Sequence, residues 1–122
     1  MILLDTNALI WLQQGHRRAR VLQRSPRAYV SPASLLELQF LSEAGRIRFA
    51  DAASVSVIAS DPRWTVDDPP STRWFLAASE VGWTRDPFDR LIVAHARLRG
   101  WKLATADEPI LRALGPGRTL PL

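Results

Sequence analysis

The sequence predicts an α/β sandwich built on a short, mostly parallel central sheet. Short apolar runs bounded by polar turn residues, Met1 to Leu4 and Lys102 to Thr105, read as buried strands. Helical patterns with hydroxyl or proline starts separate such strands along the chain, which is the order expected of α/β proteins. Four isolated acids, Asp5, Glu37, Asp89 and Asp107, punctuate this pattern where the apolar segments end or inside them. Ligands of open α/β sheets bind beyond the carboxyl ends of the strands. Acids at two strand ends and on two helices can meet there, and like charges so gathered call for protons or a cation. The pattern therefore points to a divalent-metal site.

The elements follow in order. Residues 1–5 form a strand, Asn7 to Gln14 a short helix, and 16–24 a basic helix that stops before Ser25-Pro26. Arg27 to Val30 is a second strand. Ser31-Pro32 supplies a hydroxyl cap and a proline at the first helical position, and the helix runs through Phe40 to a stop at Gly45. Residues 51–60 are ambiguous: Ser54 to Val57 alternates like a strand, whereas Asp51-Ala-Ala suits a helix start. Trp64 to Val66 is a short edge strand. Helices over Ser71 to Val81 and Pro87 to Gly100, a strand over Lys102 to Thr105, a helix over Glu108 to Leu114 and a strand over Arg118 to Leu120 complete the chain.

The 122 residues fit one domain, residues 1–122, large enough to hold a core without disulfides. The absence of cysteine excludes a disulfide framework and a thiolate metal site, and is compatible with the cytoplasm. The apolar run at Met1 is too short for a signal peptide or a membrane span, so a soluble cytoplasmic protein is expected. The net charge of +4 comes from fifteen arginines against a single lysine. Arginine suits phosphates because it donates in a bidentate fork. The densest positive segment, His16 to Arg20 with Arg24 and Arg27, is either an RNA-backbone contact or a solvated helix face, the latter preferred.

Each acid has a bland alternative. Asp5 suits a turn residue or the cap of the following helix, and Asp107 a plain turn. Glu37 lies one turn from Ala33, Leu36, Phe40 and Leu41, much apolar surface for an exposed glutamate, the bland version being a place at the edge of the apolar stripe. Asp86-Pro87 caps the long helix, which leaves Asp89 free to bind metal. His16 and His95 have no partner at metal-ligand spacing and are assigned to packing or surface roles. An aspartyl-phosphate phosphotransfer domain is a competing reading. It usually carries a second aspartate two residues after the first, where this chain has Asn7, and a lysine on a later strand, whereas Lys102 is the only lysine here.

Four segments together, Ile2 to Leu9 (ILLDTNAL), Ser31 to Glu37 (SPASLLE), Arg85 to Ala96 (RDPFDRLIVAHA) and Leu103 to Asp107 (LATAD), resemble the PIN-domain family. Within it they look most like VapC-type toxins of bacterial toxin–antitoxin (VapBC) pairs. The resemblance spans nearly the whole chain; Asp51 to Trp74 matches only loosely. It implies a three-layer α/β/α sandwich and a Mg2+- or Mn2+-dependent endoribonuclease leaving a 5′-phosphate and a 3′-hydroxyl. It also implies a homodimer and a small VapB-like antitoxin that blocks the site. Asp5, Glu37, Asp89 and Asp107 take the four acidic roles, with the Thr105 hydroxyl beside the last. Asp86 shares or replaces the role of Asp89 as a metal ligand, and Asn7, Arg85 and Arg90 are candidate substrate contacts. A silent PIN-like RNA- or protein-binding module is the alternative.

Overall fold

A computed structural model describes residues 1–24, 27–49 and 54–122. Among the described residues five strands form one sheet: β1 (Ile2–Leu4), β2 (Ala28–Val30), β3 (Thr65–Val66), β4 (Lys102–Thr105) and β5 (Thr119–Pro121). The order is β3-β2-β1-β4-β5 and every pairing is parallel. The sheet is thus fully rather than mostly parallel, and Thr65–Val66 is an edge strand as expected. The order reverses between β1 and β4, creating a crevice at their carboxyl ends.

Parallel strands need long crossovers, and helices supply them. They are α1 (Thr6–Gln14), α2 (Pro32–Glu43), α3 (Val55–Ala59), α4 (Ser71–Ser79), α5 (Pro87–Arg99) and α6 (Glu108–Leu114). Successive strand residues point to opposite faces, so each strand feeds two cores. Leu3 and Leu103 pack with Trp74, Ala78, Val81, Ile92 and Val93 under α4 and α5. Leu4, Val30 and Ala104 pack with Leu9, Leu22, Leu38, Ile58 and Trp64 on the other side. That is a three-layer sandwich. Among the described residues no helix is long and apolar enough to cross a membrane.

Several local expectations are corrected. The basic segment is a 3-10 helix (Arg17–Arg24), whose three-residue repeat turns Ala19 and Leu22 inward together. Ser54 to Val57 is not a strand: the Ser54 side chain accepts the Val57 amide and opens α3. The suggested helix start at Asp51-Ala-Ala lies outside the described residues. Leu36 and Phe40, expected to bury Glu37, are each 53% exposed, because α2 turns Ala33, Ser34 and Leu38 inward instead.

His95 is wholly buried on α5, with Nε2 2.7 Å from Asp67 Oδ2, while Arg99 donates to the same carboxylate. This network ties the end of β3 to α5. His95 Nδ1 has no partner among the described residues, and burial pushes the ring pKa down.

Leu103 is fully buried at the centre of the sheet. Leu103→Ala should cost about 2–5 kcal/mol of stability, read as a lower urea midpoint at an unchanged slope. An unchanged midpoint would refute the packing described.

Candidate metal and nuclease centre

The four acids meet at the switch point. The β1–β4 register pairs Leu4 with Ala104, so the residues that follow, Asp5 and Thr105, emerge side by side at the carboxyl edge. The Asp5 amide also donates to Ala104 O at 3.1 Å. Asp5 and Asp107 each begin the next helix. Asp5 Oδ1 accepts the Ala8 amide at 2.7 Å, and Asp107 Oδ1 accepts the Ile110 amide at 3.0 Å. Capping therefore does not compete with a site role; it aims each carboxylate through one oxygen. Glu37 arrives from α2 and Asp89 from the first turn of α5.

Together they line a cavity of about 180 Å3, with Thr6, Asn7, Leu41, Arg46, Ile92 and Ile110 completing its wall. Thr105 is fully buried behind the wall. Its hydroxyl accepts the Asp107 amide at 3.0 Å, and the same hydroxyl favours the charged form of Asp5. Thr6 faces Glu37 rather than open solvent: its hydroxyl donates to Glu37 Oε1 and stands 3.1 Å from Ser34 Oγ.

Besides Thr105, three candidates fall outside the cavity wall. Asp86 Oδ1 accepts the amides of Phe88 and Asp89, at 2.8 and 3.1 Å, which spends it as the cap of α5. Its charge reaches the site only at a distance. Arg90 turns away, its guanidinium donating to the carbonyls of Thr84 and Ser79, so it braces the loop before α5 and holds neither phosphate nor carboxylate. Arg85 sits exposed in that loop. Ser34, buried beneath Thr6, and Arg46 are the site residues that sequence reading missed. Ser34 had a signal, a hydroxyl three residues before Glu37 on the same helix face. Arg46 had none, since it follows the helix stop.

The electrostatics are those of a crowded anionic pocket. Burial raises the Asp5 pKa to about 6, opposed by the Thr105 and Ala8 hydrogen bonds and aided by Asp107 and Glu37. Asp89 is pushed to about 7 by burial and then by the charges of Asp86, Asp107, Glu37 and Asp5. Burial also raises Glu37, against its bond from Thr6. Among the described residues no three acid or histidine side chains converge tightly enough to ligate one ion directly. Mg2+ requires less, usually taking one or two carboxylates and keeping its waters. An all-oxygen donor set with uncommitted carboxylate oxygens and unrelieved repulsion fits such a hard cation.

Lys102 stands at the amino end of β4, opposite Ile2 and away from Asp5. The phosphotransfer reading therefore lacks its lysine at the site.

Without metal, the raised pKa values mean that the folded state binds more protons than the unfolded chain between about pH 4 and 7. These groups thus remove stability as pH rises through that window. His95, whose pKa is lowered, contributes the opposite slope, so the informative quantity is the difference between parent and variant. Asp89→Asn should raise the metal-free Tm at pH 8 by about 3 °C or more and leave it nearly unchanged at pH 5. Equal Tm differences at both pH values would contradict the repulsion described.

A family model described as "PIN domain" matches residues 2–114. Ribonuclease VapC22 of Mycobacterium tuberculosis is 30% identical over 114 residues, covering 88% of this chain and 87% of that protein. Among solved structures, a toxin–antitoxin complex from Klebsiella pneumoniae superposes with a TM-score of 0.70 at 18% identity, covering 98% of this chain and 96% of that one. VapBC2 from Rickettsia felis, bound to a promoter DNA fragment, gives 0.66 at 20% identity, covering 98% and 97%. The structural likenesses bear on the fold, and the sequence matches carry the family: the chain belongs to the PIN-domain family, among its VapC-type proteins.

Proposed function

We propose that this protein is a Mg2+- or Mn2+-dependent endoribonuclease acting as the toxin of a type II toxin–antitoxin pair. The observation that carries the reading is the convergence of Asp5, Glu37, Asp89 and Asp107 on one cavity at the sheet's switch point, in a chain of the PIN-domain family. Its relative in M. tuberculosis is named a ribonuclease.

Asp5, Asp89 and Asp107 would hold the cation, directly or through water. When bound, the ion supplies a lowered pKa to a coordinated water and neutralises charge on the scissile phosphate. Glu37 is the proton acceptor for the attacking water. Its raised pKa makes it a better base than a free carboxylate, and the Thr6 bond fixes one oxygen so that the other faces the cavity. Attack in line with the 3′-oxygen leaves a 5′-phosphate and a 3′-hydroxyl. Thr105 keeps Asp5 and Asp107 in register, and Asn7, exposed on the cavity wall, is placed to donate to substrate.

The partner is a small VapB-like antitoxin, and the protein works as a homodimer. Solved relatives of this fold are toxin–antitoxin complexes, which supports the first. Half-exposed Leu36 and Phe40, the latter edge-on to Phe88 at 5.5 Å, offer apolar surface beside Glu37 for a covering segment.

The test is cleavage of a mixed small-RNA pool by purified protein with Mg2+ or Mn2+. Chelation should abolish cutting, and Asp5→Asn should reduce it at least about 100-fold while the fold is retained, since asparagine still caps α1. An Asp5→Asn protein as active as the parent would refute the site. Absence of both cutting and calorimetric ion binding would favour a silent binding module.

A further inference from the structure

We propose that Arg46 is a substrate-binding residue that holds an RNA phosphate against the acidic cavity; this rests on the nuclease reading above. An acidic pocket has an intrinsic difficulty with RNA. Four carboxylates favour a cation but repel the phosphate it must serve, and one divalent ion leaves net negative charge behind. Among the ten described residues that line the cavity, Arg46 is the only cation.

Its placement is built into the end of α2. Gly45 takes a left-handed φ of +70°, the Gly45 amide donates to Ser42 O at 3.0 Å, and the Arg46 amide donates to Leu41 O at 2.9 Å. This closure ends the helix and reverses the chain. The side chain of the next residue is thereby returned to the cavity that Glu37 and Leu41 of the same helix already line. A non-glycine residue at 45 would be strained in that conformation.

A purely neutralising arginine would be expected to sit on one of the four carboxylates. Arg46 makes no ion pair with any described residue, and it is exposed. Its guanidinium therefore keeps its donors for a ligand, in the forked geometry that suits phosphate oxygens. Arg90 does not line the cavity, and its guanidinium is directed instead to the carbonyls of Thr84 and Ser79.

Phosphate binding and metal binding should respond to the charge of Arg46 with opposite sign. Arg46→Met keeps the aliphatic stem and removes the charge. In the full chain carrying Asp89→Asn to suppress cleavage, it should weaken binding of a fluorescent single-stranded RNA about 10-fold or more. It should also lower the slope of log affinity against log salt by about 0.7. In the otherwise unaltered protein it should tighten calorimetric Mn2+ binding severalfold, because a repelling charge is gone. Arg46→Lys should recover part of the RNA affinity. Tighter Mn2+ binding with unchanged RNA affinity and salt slope would show a neutralising arginine and overturn the proposal. So would no change in either. A parent protein that binds Mn2+ but neither binds nor cuts RNA would overturn the nuclease reading itself, and this proposal with it.

Discussion

Mutual repulsion among carboxylates at one edge of a small sheet is the constraint on which the rest of this structure turns. Asp5, Glu37, Asp89 and Asp107 share one cavity, and Asp86 adds its field from just outside. None of these groups is neutralised by an arginine among the described residues, although the chain carries fifteen. A protein selected for stability alone would pair or disperse them. Stability forgone at such a place is the usual mark of a working site.

The cost is met by rigid local devices rather than by charge pairing. Asp5 and Asp107 are fixed as helix caps, and the Thr105 hydroxyl holds the Asp107 amide. Asp86 caps α5, so Asp89 need not, and Arg90 braces the loop that delivers both. Glu37 is held through Thr6, which itself rests on buried Ser34. Asp5, Glu37 and Asp107 thus each have a neighbour that sets their direction without cancelling their charge. The two cores that flank the sheet supply the stability against which this repulsion is set.

The same economy separates roles among chemically identical residues. Two arginines lie near the site in sequence or in space, yet Arg90 is structural and Arg46 faces the cavity. Two aspartates sit three residues apart, yet one caps and the other lines the wall. Amino-acid type does not distinguish them; backbone geometry does. The left-handed turn at Gly45 and the cap at Asp86 decide which side chain lines the cavity.

The parallel α/β architecture was legible because it rests on local signals. The apolar runs at Leu3-Leu4 and Leu103-Ala104, the caps at Ser31 and Asp86, and the glycine stop after Arg99 all act within a few residues. So were the positions of Asp5 and Asp107, since an isolated carboxylate at the end of a buried strand is visible in one dimension, whereas Glu37 and Asp89 sit on helices. What the sequence could not settle depends on contacts between distant elements. The helical state of Val55 to Ala59 rested on a capping bond that alternation concealed. The exposure of Leu36 and Phe40, the withdrawal of Arg90 and the arrival of Arg46 depend on how α2 and α5 dock beside the sheet. Sequence by itself determined the elements and the acids, through hydrophobic periodicity and capping chemistry. Only the tertiary structure decided which of those charges face one another, because the energy of a charge depends on distance and burial, and neither is encoded locally.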